Sequence, residues 1–181
     1  ENGSGKELAA RELHRLSTRA GEVFLRVDIN TLSPHLFESE LFGHERGAFT
    51  DARSDRTGFF RAATGGTLFL DEIGNVPLHL QAKLLTALEQ REVVPVGAET
   101  PEAIDVRLIC ATNLDRAALA DENRFRQDLL YRINTVEITM PALRERRQAI
   151  LLLLAHYADF YAQKYNLPPK RLSAELLERL S

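Results

Sequence analysis

Apolar positions recur first at helical spacing from about Lys6 to Ala20 and then crowd together from Val23 to Ile29. They give way to a polar, glycine-bearing stretch from Ser33 to Thr57. A helix-period segment followed by a short apolar run is the pattern of βα alternation. Thr67 to Leu70 and Val106 to Ala111 are near-continuous apolar runs, as in strands covered on both faces, and the helical stretch Leu78 to Arg91 lies between them. The expected sheet is therefore parallel. Leu84, Leu85 and Leu88 form a helical stripe that reads as core and carries no chemistry. A further strand is expected over Thr135 to Met140. Pro141 then punctuates the chain, and the Leu-rich remainder, broken at Leu167-Pro168-Pro169, predicts a separate helical subdomain.

Composition narrows this picture. With 181 residues, 44% of them hydrophobic, the chain can bury one sizeable core and a small appendage. A formal charge of −3 supplies no bulk attraction for nucleic acid, so no direct DNA contact is expected of this segment. The single cysteine, Cys110, excludes an internal disulfide, sits in an apolar run as a small buried hydrophobe, and fits a cytoplasmic location. The longest apolar run, Ala149 to Ala155, is far shorter than the ~20 residues that span a bilayer, and no signal-peptide pattern opens the chain, so no membrane association is expected.

Candidate chemistry gathers at the ends of the expected strands. Gly3-Ser4-Gly5-Lys6-Glu7 has the form of the tail of a phosphate-binding loop, where glycines let backbone N–H groups close on phosphate oxygens and a lysine neutralises them. By itself the segment also reads as a flexible turn. Asp71 and Glu72 follow the apolar run Leu68-Phe69-Leu70, at the edge where parallel α/β sheets bind ligands. An acidic pair there is ordinarily a solvated turn, but its spacing from Lys6 matches a Walker B motif. In that reading Asp71 holds Mg²⁺ and Glu72 polarises the water that attacks a γ-phosphate. Thr112 and Asn113 end the next run and read either as site groups or as the cap of a helix from Asp115 to Ala120. Asp28 closes the strand that starts at Val23 and reads on its own as a strand-end cap.

The segment Glu40-Leu41-Phe42-Gly43-His44-Glu45-Arg46-Gly47-Ala48-Phe49-Thr50-Asp51-Ala52 offers a glycine-flanked aromatic in a polar stretch, the mark of a presented loop. It closely resembles the ESELFGHE and GAFTGA signature of the bacterial sigma-54-dependent transcriptional activators, an AAA+ ATPase family, and the resemblance runs along essentially the whole chain. It implies an α/β fold: a P-loop AAA+ three-layer αβα core with a parallel sheet over residues 1–140, lacking its N-terminal strand, and the truncated start of an α-helical lid over 141–181. Leu143-Arg144-Glu145-Arg146 resembles the family's LRER at that junction. A fragment of a longer chain is expected, with sensing domains before it and a DNA-binding domain after it.

The resemblance also implies roles. ATP and Mg²⁺ become the expected cofactors, with Gly3, Ser4, Gly5, Lys6, Glu7 and Asp71 binding them; Glu7 matches the family's GKE. Asn113, then Thr112, becomes the γ-phosphate sensor. Phe125 to Arg132 is similar to the family's FRxDLxxR, which makes Arg126 and Arg132 candidate arginine fingers reaching a neighbouring subunit of a homo-oligomer, a hexamer. Gly47, Ala48, Phe49, Thr50, Asp51 and Ala52 become the loop that contacts sigma-54, with Phe49 as the contact residue and Val96-Gly97-Ala98 in a partner loop from about Glu92 to Glu102. Two letters depart from the family: Asp51 stands for Gly, and Asp28 for the Asn that grips the Walker B glutamate. The expected activity is ATP hydrolysis that remodels the sigma-54 RNA polymerase holoenzyme. The alternative expectation is a regulatory nucleotide-binding module that does not engage sigma-54. A non-transcriptional AAA+ remodeller is a third and leaves the Glu40–Ala52 segment unexplained.

Overall fold

The computed structural model describes residues 3–168. The first helix, α1 (Lys6–Arg15), has Glu7 in its first turn and His14 and Arg15 in its last, a charge order that complements the helix dipole. It stops short of Ala20 because Ser17 turns back on the helix end, its hydroxyl donating to the His14 carbonyl at 2.6 Å. β1 (Phe24–Asp28) follows, then α2 (Phe37–Phe42) and a small hairpin of β2 (Gly43–His44) and β3 (Arg56–Thr57). After α3 (Phe59–Ala62) come β4 (Thr67–Asp71), α4 (Leu78–Gln90), a second hairpin of β5 (Glu92–Val93) and β6 (Glu102–Ala103), and β7 (Arg107–Cys110). α5 (Arg116–Ala120), α6 (Gln127–Ile133) and α7 (Arg147–Lys164) complete the described elements.

The three longer strands pair in parallel in the order β1-β4-β7, with Asp28 opposite Asp71 and Leu70 opposite Cys110. The β4 residues Thr67 to Leu70 are buried, as continuous apolar character predicts for a strand with neighbours on both edges. The apolar run around β7 differs from expectation, since all four of its residues are only partly covered. It pairs on one edge alone among the described residues, and an edge strand keeps contact with solvent. Cys110 lies on this strand, half-buried rather than the fully buried hydrophobe expected, and its packing against the core pushes the thiol pKa up.

Thr135 to Met140 is the second correction: the segment forms no strand. Val136 and Ile138 stand 79% and 59% exposed. Alternating apolar residues become a strand only when a neighbour satisfies their backbone groups, and none of the described strands pairs there.

Contacts divide the chain into two units. Lys6–Glu137 contains the sheet, with a core built around Val27, Phe42, Phe60, Leu68, Leu70, Leu84, Phe125 and Leu129. The other unit comprises residues up to Gly5 together with Ile138 onward, and includes α7. The expected interruption at Leu167-Pro168-Pro169 falls partly outside the described residues, as does the rest of the expected lid; α7 itself ends at Lys164. No helix among the described residues is long and apolar enough to cross a membrane.

The hairpin of β2 and β3 is pinched shut at its base. Gly43 has φ +91, and a Cβ on Gly58 would run into the backbone of Phe42, Gly43 and Leu41. Gly58→Ala is therefore expected to destabilise the fold by about 2 kcal/mol, read as a lower urea midpoint at unchanged m-value. Gly21→Ala, where nothing lies within 4 Å, serves as the near-neutral comparison.

Candidate functional site

The end of β4 delivers two carboxylates in different settings. Asp71 is the last residue of the strand, and Glu72 turns away from it at φ 60° and ψ 44°, a left-handed conformation that costs a non-glycine residue on the order of 1 kcal/mol. Hydrogen bonds from the β7 side hold the turn: Ile73 N donates to the Ala111 carbonyl at 2.9 Å, and Asn113 N donates to Glu72 Oε2 at 3.0 Å. The other Glu72 oxygen meets Lys6 Nζ at 2.8 Å, with only 15% and 9% of the two side chains exposed. Lys6, Glu72 and Asn113 thus come together from the start of α1, the end of β4 and the loop after β7. Asn113 joins through its backbone N–H, while the Thr112 hydroxyl accepts from Leu114 N at 3.1 Å.

Asp71 lies next to this pair. Its Oδ2 is 3.4 Å from Arg26 Nη2, and its Oδ1 is buried with no hydrogen-bond partner. No group of three or more His, Cys, Asp or Glu among the described residues could hold a metal ion alone. A buried, unpaired carboxylate oxygen nevertheless fits Mg²⁺, which takes one or two carboxylates and completes its shell with phosphate oxygens and water. Glu7 is engaged elsewhere: its Oε2 is 2.8 Å from Arg26 and its Oε1 2.9 Å from Arg11.

The glycines before Lys6 take left-handed backbone. Gly3 and Gly5 take φ +74 and +88, and a Cβ at either would meet nothing within 4 Å, so backbone conformation rather than crowding calls for glycine. Ser4 is buried, and its carbonyl accepts from Arg146 Nη2 at 2.7 Å within the same unit.

Other expected residues stand apart. Asp28 accepts from Asn30 N at 3.0 Å and caps a short 3-10 turn, so its carboxylate serves its own strand end, whereas Glu72 is held by Lys6 and Asn113. Asn30 in turn accepts from Asn75 Nδ2 at 2.9 Å, tying the turn after β1 to the turn after β4. Arg126 pairs with Asp128, its Nη2 2.6 Å from Oδ2, which raises the arginine and lowers the carboxyl from their ordinary values. Arg132 donates to the Leu88 carbonyl at 2.7 Å, in the last turn of α4. The two arginines do not converge.

The presented loop is folded onto itself. Gly47 N donates to the Ala52 carbonyl at 2.8 Å, Ala52 N donates to the Phe49 carbonyl at 2.9 Å, and Gly47 adopts φ +85. Phe49 is half-buried instead of fully offered to solvent, because its ring meets the His44 imidazole edge-on at 5.0 Å. Ser39 and the His44 Nδ1 lie 2.6 Å apart, which fixes that imidazole. Thr50 and Asp51 are exposed, and Ala52 is buried. The partner loop docks on the same stem, with Glu45 N donating to the Val96 carbonyl and Val96 N to the Gly43 carbonyl at 3.0 and 2.9 Å. A Cβ on Gly97 would sit 2.8 Å from that of Ala48, so glycine there lets the two loops touch.

Sequence reasoning passed over Arg26 and Gln81. Gln81 is fully buried; its Nε2 donates to the Val76 and Arg124 carbonyls, each at 2.9 Å, and its Oε1 accepts from Arg126 N at 2.8 Å. It pins the Arg126 segment to α4. The available signal was an amide beside the apolar stripe of a helix, where polar burial demands partners. Gln81→Leu leaves those three backbone groups unpaired. It should cost about 3 kcal/mol in urea melts and speed hydrogen exchange at the Arg126 amide.

Residues 1–139 match the sigma-54 interaction domain family. The chain is 46% identical over 180 residues to the response regulator protein PilR of Pseudomonas aeruginosa, an alignment covering 99% of this chain and 40% of PilR. It is 47% identical over 180 residues to the DNA-binding transcriptional regulator NtrC of Bradyrhizobium sp., covering 99% and 37%. Among solved structures, NtrX from Brucella abortus in complex with ADP superposes with a TM-score of 0.87 at 33% identity, covering 98% of this chain and 38% of that one. The chain thus spans about two fifths of the length of these relatives.

Proposed function

This chain belongs to the sigma-54 interaction domain family, and from that premise we propose that it is the ATP-hydrolysing AAA+ module of a cytoplasmic transcriptional activator that remodels the sigma-54 RNA polymerase holoenzyme so that promoter DNA can open. The observation that carries this reading is the junction of Lys6, Asp71, Glu72 and Asn113 at one end of the parallel sheet. NtrX, which shares the fold, was crystallised with ADP and with ATP.

In the proposed mechanism Lys6 exchanges partners. Its ammonium leaves Glu72 for the nucleotide's phosphate oxygens, with Gly3, Ser4, Gly5 and Glu7 forming the rest of the loop and helix start. That exchange frees the Glu72 carboxylate to accept a proton from the attacking water, so nucleotide binding and exposure of the base are one event. Mg²⁺ bound to Asp71 would supply the positive charge that screens the phosphates. Asn113, held against Glu72 through its N–H, reports loss of the γ-phosphate. Arg126 and Arg132 act in trans, stabilising transition-state charge in the neighbouring subunit of a hexamer, for which Arg126 must release Asp128. The division into a core to residue 140 and a lid from 141 belongs to the same proposal.

Coupling falls to the loop from Gly47 to Ala52, whose Phe49 leaves His44 when the loop is raised toward sigma-54. Asp51, exposed beside it, calls for a partner surface able to accept a negative charge. The alternative is a regulatory nucleotide-binding module that does not engage sigma-54, and the capping role of Asp28 favours it, because Glu72 then lacks the side-chain grip that would pass on nucleotide state.

Glu72→Gln should lower ATP turnover by about 10²- to 10⁴-fold while nucleotide binding tightens, because Lys6 no longer has a carboxylate to leave; turnover by coupled assay and affinity by equilibrium titration separate the two effects. Undiminished turnover rules out Glu72 as the base. Phe49→Ala should keep ATPase activity but lose the complex formed with sigma-54 in ADP plus aluminium fluoride, read on a native gel. If wild-type protein hydrolyses ATP and forms no such complex, the regulatory alternative stands.

A further inference from the structure

Strand alternation puts Phe24, Arg26 and Asp28 on one face of β1 and Leu25 and Val27 on the other. Val27 enters the core, while the Arg26 guanidinium reaches two carboxylates from different elements. Its Nη1 lies 2.8 Å from Oε2 of Glu7 in the first turn of α1, and its Nη2 lies 3.4 Å from Oδ2 of Asp71 at the end of β4. The other Glu7 oxygen is taken by Arg11, whose guanidinium also sits over the Phe24 ring at 4.9 Å. Glu7 is therefore fixed by two arginines, and Asp71 has one oxygen near a cation and one buried oxygen, Oδ1, without a partner.

We propose that Arg26 is a positioning residue that competes with the divalent cation for Asp71 and so sets the concentration of Mg²⁺ at which the nucleotide site loads. The inference rests on the nucleotide-site reading given above and goes beyond it, since the phosphate loop and the acidic pair do not include this strand residue. Without metal, the guanidinium lies between Glu7 and Asp71, one nitrogen toward each, and reduces the repulsion between two carboxylates on converging elements. When a cation of charge +2 binds Asp71, the same guanidinium becomes a like charge a few ångströms away and must withdraw toward Glu7. Arg26 thus stabilises the metal-free state and opposes metal entry. The side chain is 40% exposed, so solvent screens both effects and the expected change is modest.

The test is a Mg²⁺ titration of mant-ADP binding by the full chain, alongside melting temperatures in EDTA and in Mg²⁺ with ADP. In Arg26→Gln the Mg²⁺ concentration for half-maximal tightening should fall about fivefold, and melting in EDTA should drop more than melting in Mg²⁺ with ADP. Arg26→Lys keeps the charge but loses the fork, and should stay within about twofold of wild type in its Mg²⁺ requirement. A purely structural arginine would lower both melting temperatures together and leave the titration unmoved, and that outcome overturns the inference. If wild-type protein binds mant-ADP with no Mg²⁺ dependence, this inference fails while the nucleotide site stands; if it binds no mant-ADP with or without Mg²⁺, the nucleotide-site reading itself fails.

Discussion

Thr67 to Leu70 are buried and hydrogen bonded to parallel neighbours on both edges, so β4 can leave the sheet only where those neighbours end. It leaves at Asp71, opposite Asp28. The chain then needs an abrupt turn, and Glu72 supplies it in a left-handed conformation that few non-glycine residues adopt. The strained turn places a carboxylate against Lys6 and the Asn113 amide. Strain at a site carboxylate, offset by hydrogen bonds with Ala111 and Asn113 just after β7, is a stability cost that ordinary packing would have no reason to retain.

Charge pairing gives the site its resting order. Lys6 rests on Glu72, Arg26 lies between Glu7 and Asp71, and Arg126 rests on Asp128. Lys6, Arg26 and Arg126 each already hold a carboxylate, while Arg132 rests on the Leu88 carbonyl, so under the proposed function loading the site is an exchange of partners. Exchange costs less than creating and filling an uncompensated charge, since a buried unpaired ion is expensive. The same economy operates at the loops. Phe49 rests on His44 and Gly97 touches Ala48, so the loop movement of the proposed function would replace existing contacts and would not start from an unfolded segment.

Two polar anchors, Gln81 buried and the Asn30–Asn75 pair exposed, hold position without joining the chemistry. Gln81 binds backbone groups on both sides of Phe125 and so fixes where Arg126 leaves the core. The Asn30 to Asn75 bridge ties the turns after β1 and β4 together, close to where Asp28 caps its own strand. Amides suit such roles because they donate and accept at once and carry no charge that would have to be desolvated.

The amino-acid pattern alone determined the parallel α/β layout, the strand ending in Asp71 and Glu72, the glycine-lysine loop and the glycine-flanked Phe49. Periodicity, apolar runs and glycine placement are properties of short contiguous segments. It misjudged Thr135 to Met140 and the coverage of β7, because whether an apolar run becomes a strand, and how many faces it buries, depends on what pairs beside it. The tertiary structure decided the partners. Lys6 and Glu72 are separated by 66 residues, and Gln81 and Arg126 by 45, so these contacts exist only once the sheet and α4 bring distant segments into register. Arg26 was invisible for the same reason: an arginine on an apolar strand reads as an exposed edge charge until folding sets Glu7 and Asp71 on either side of it.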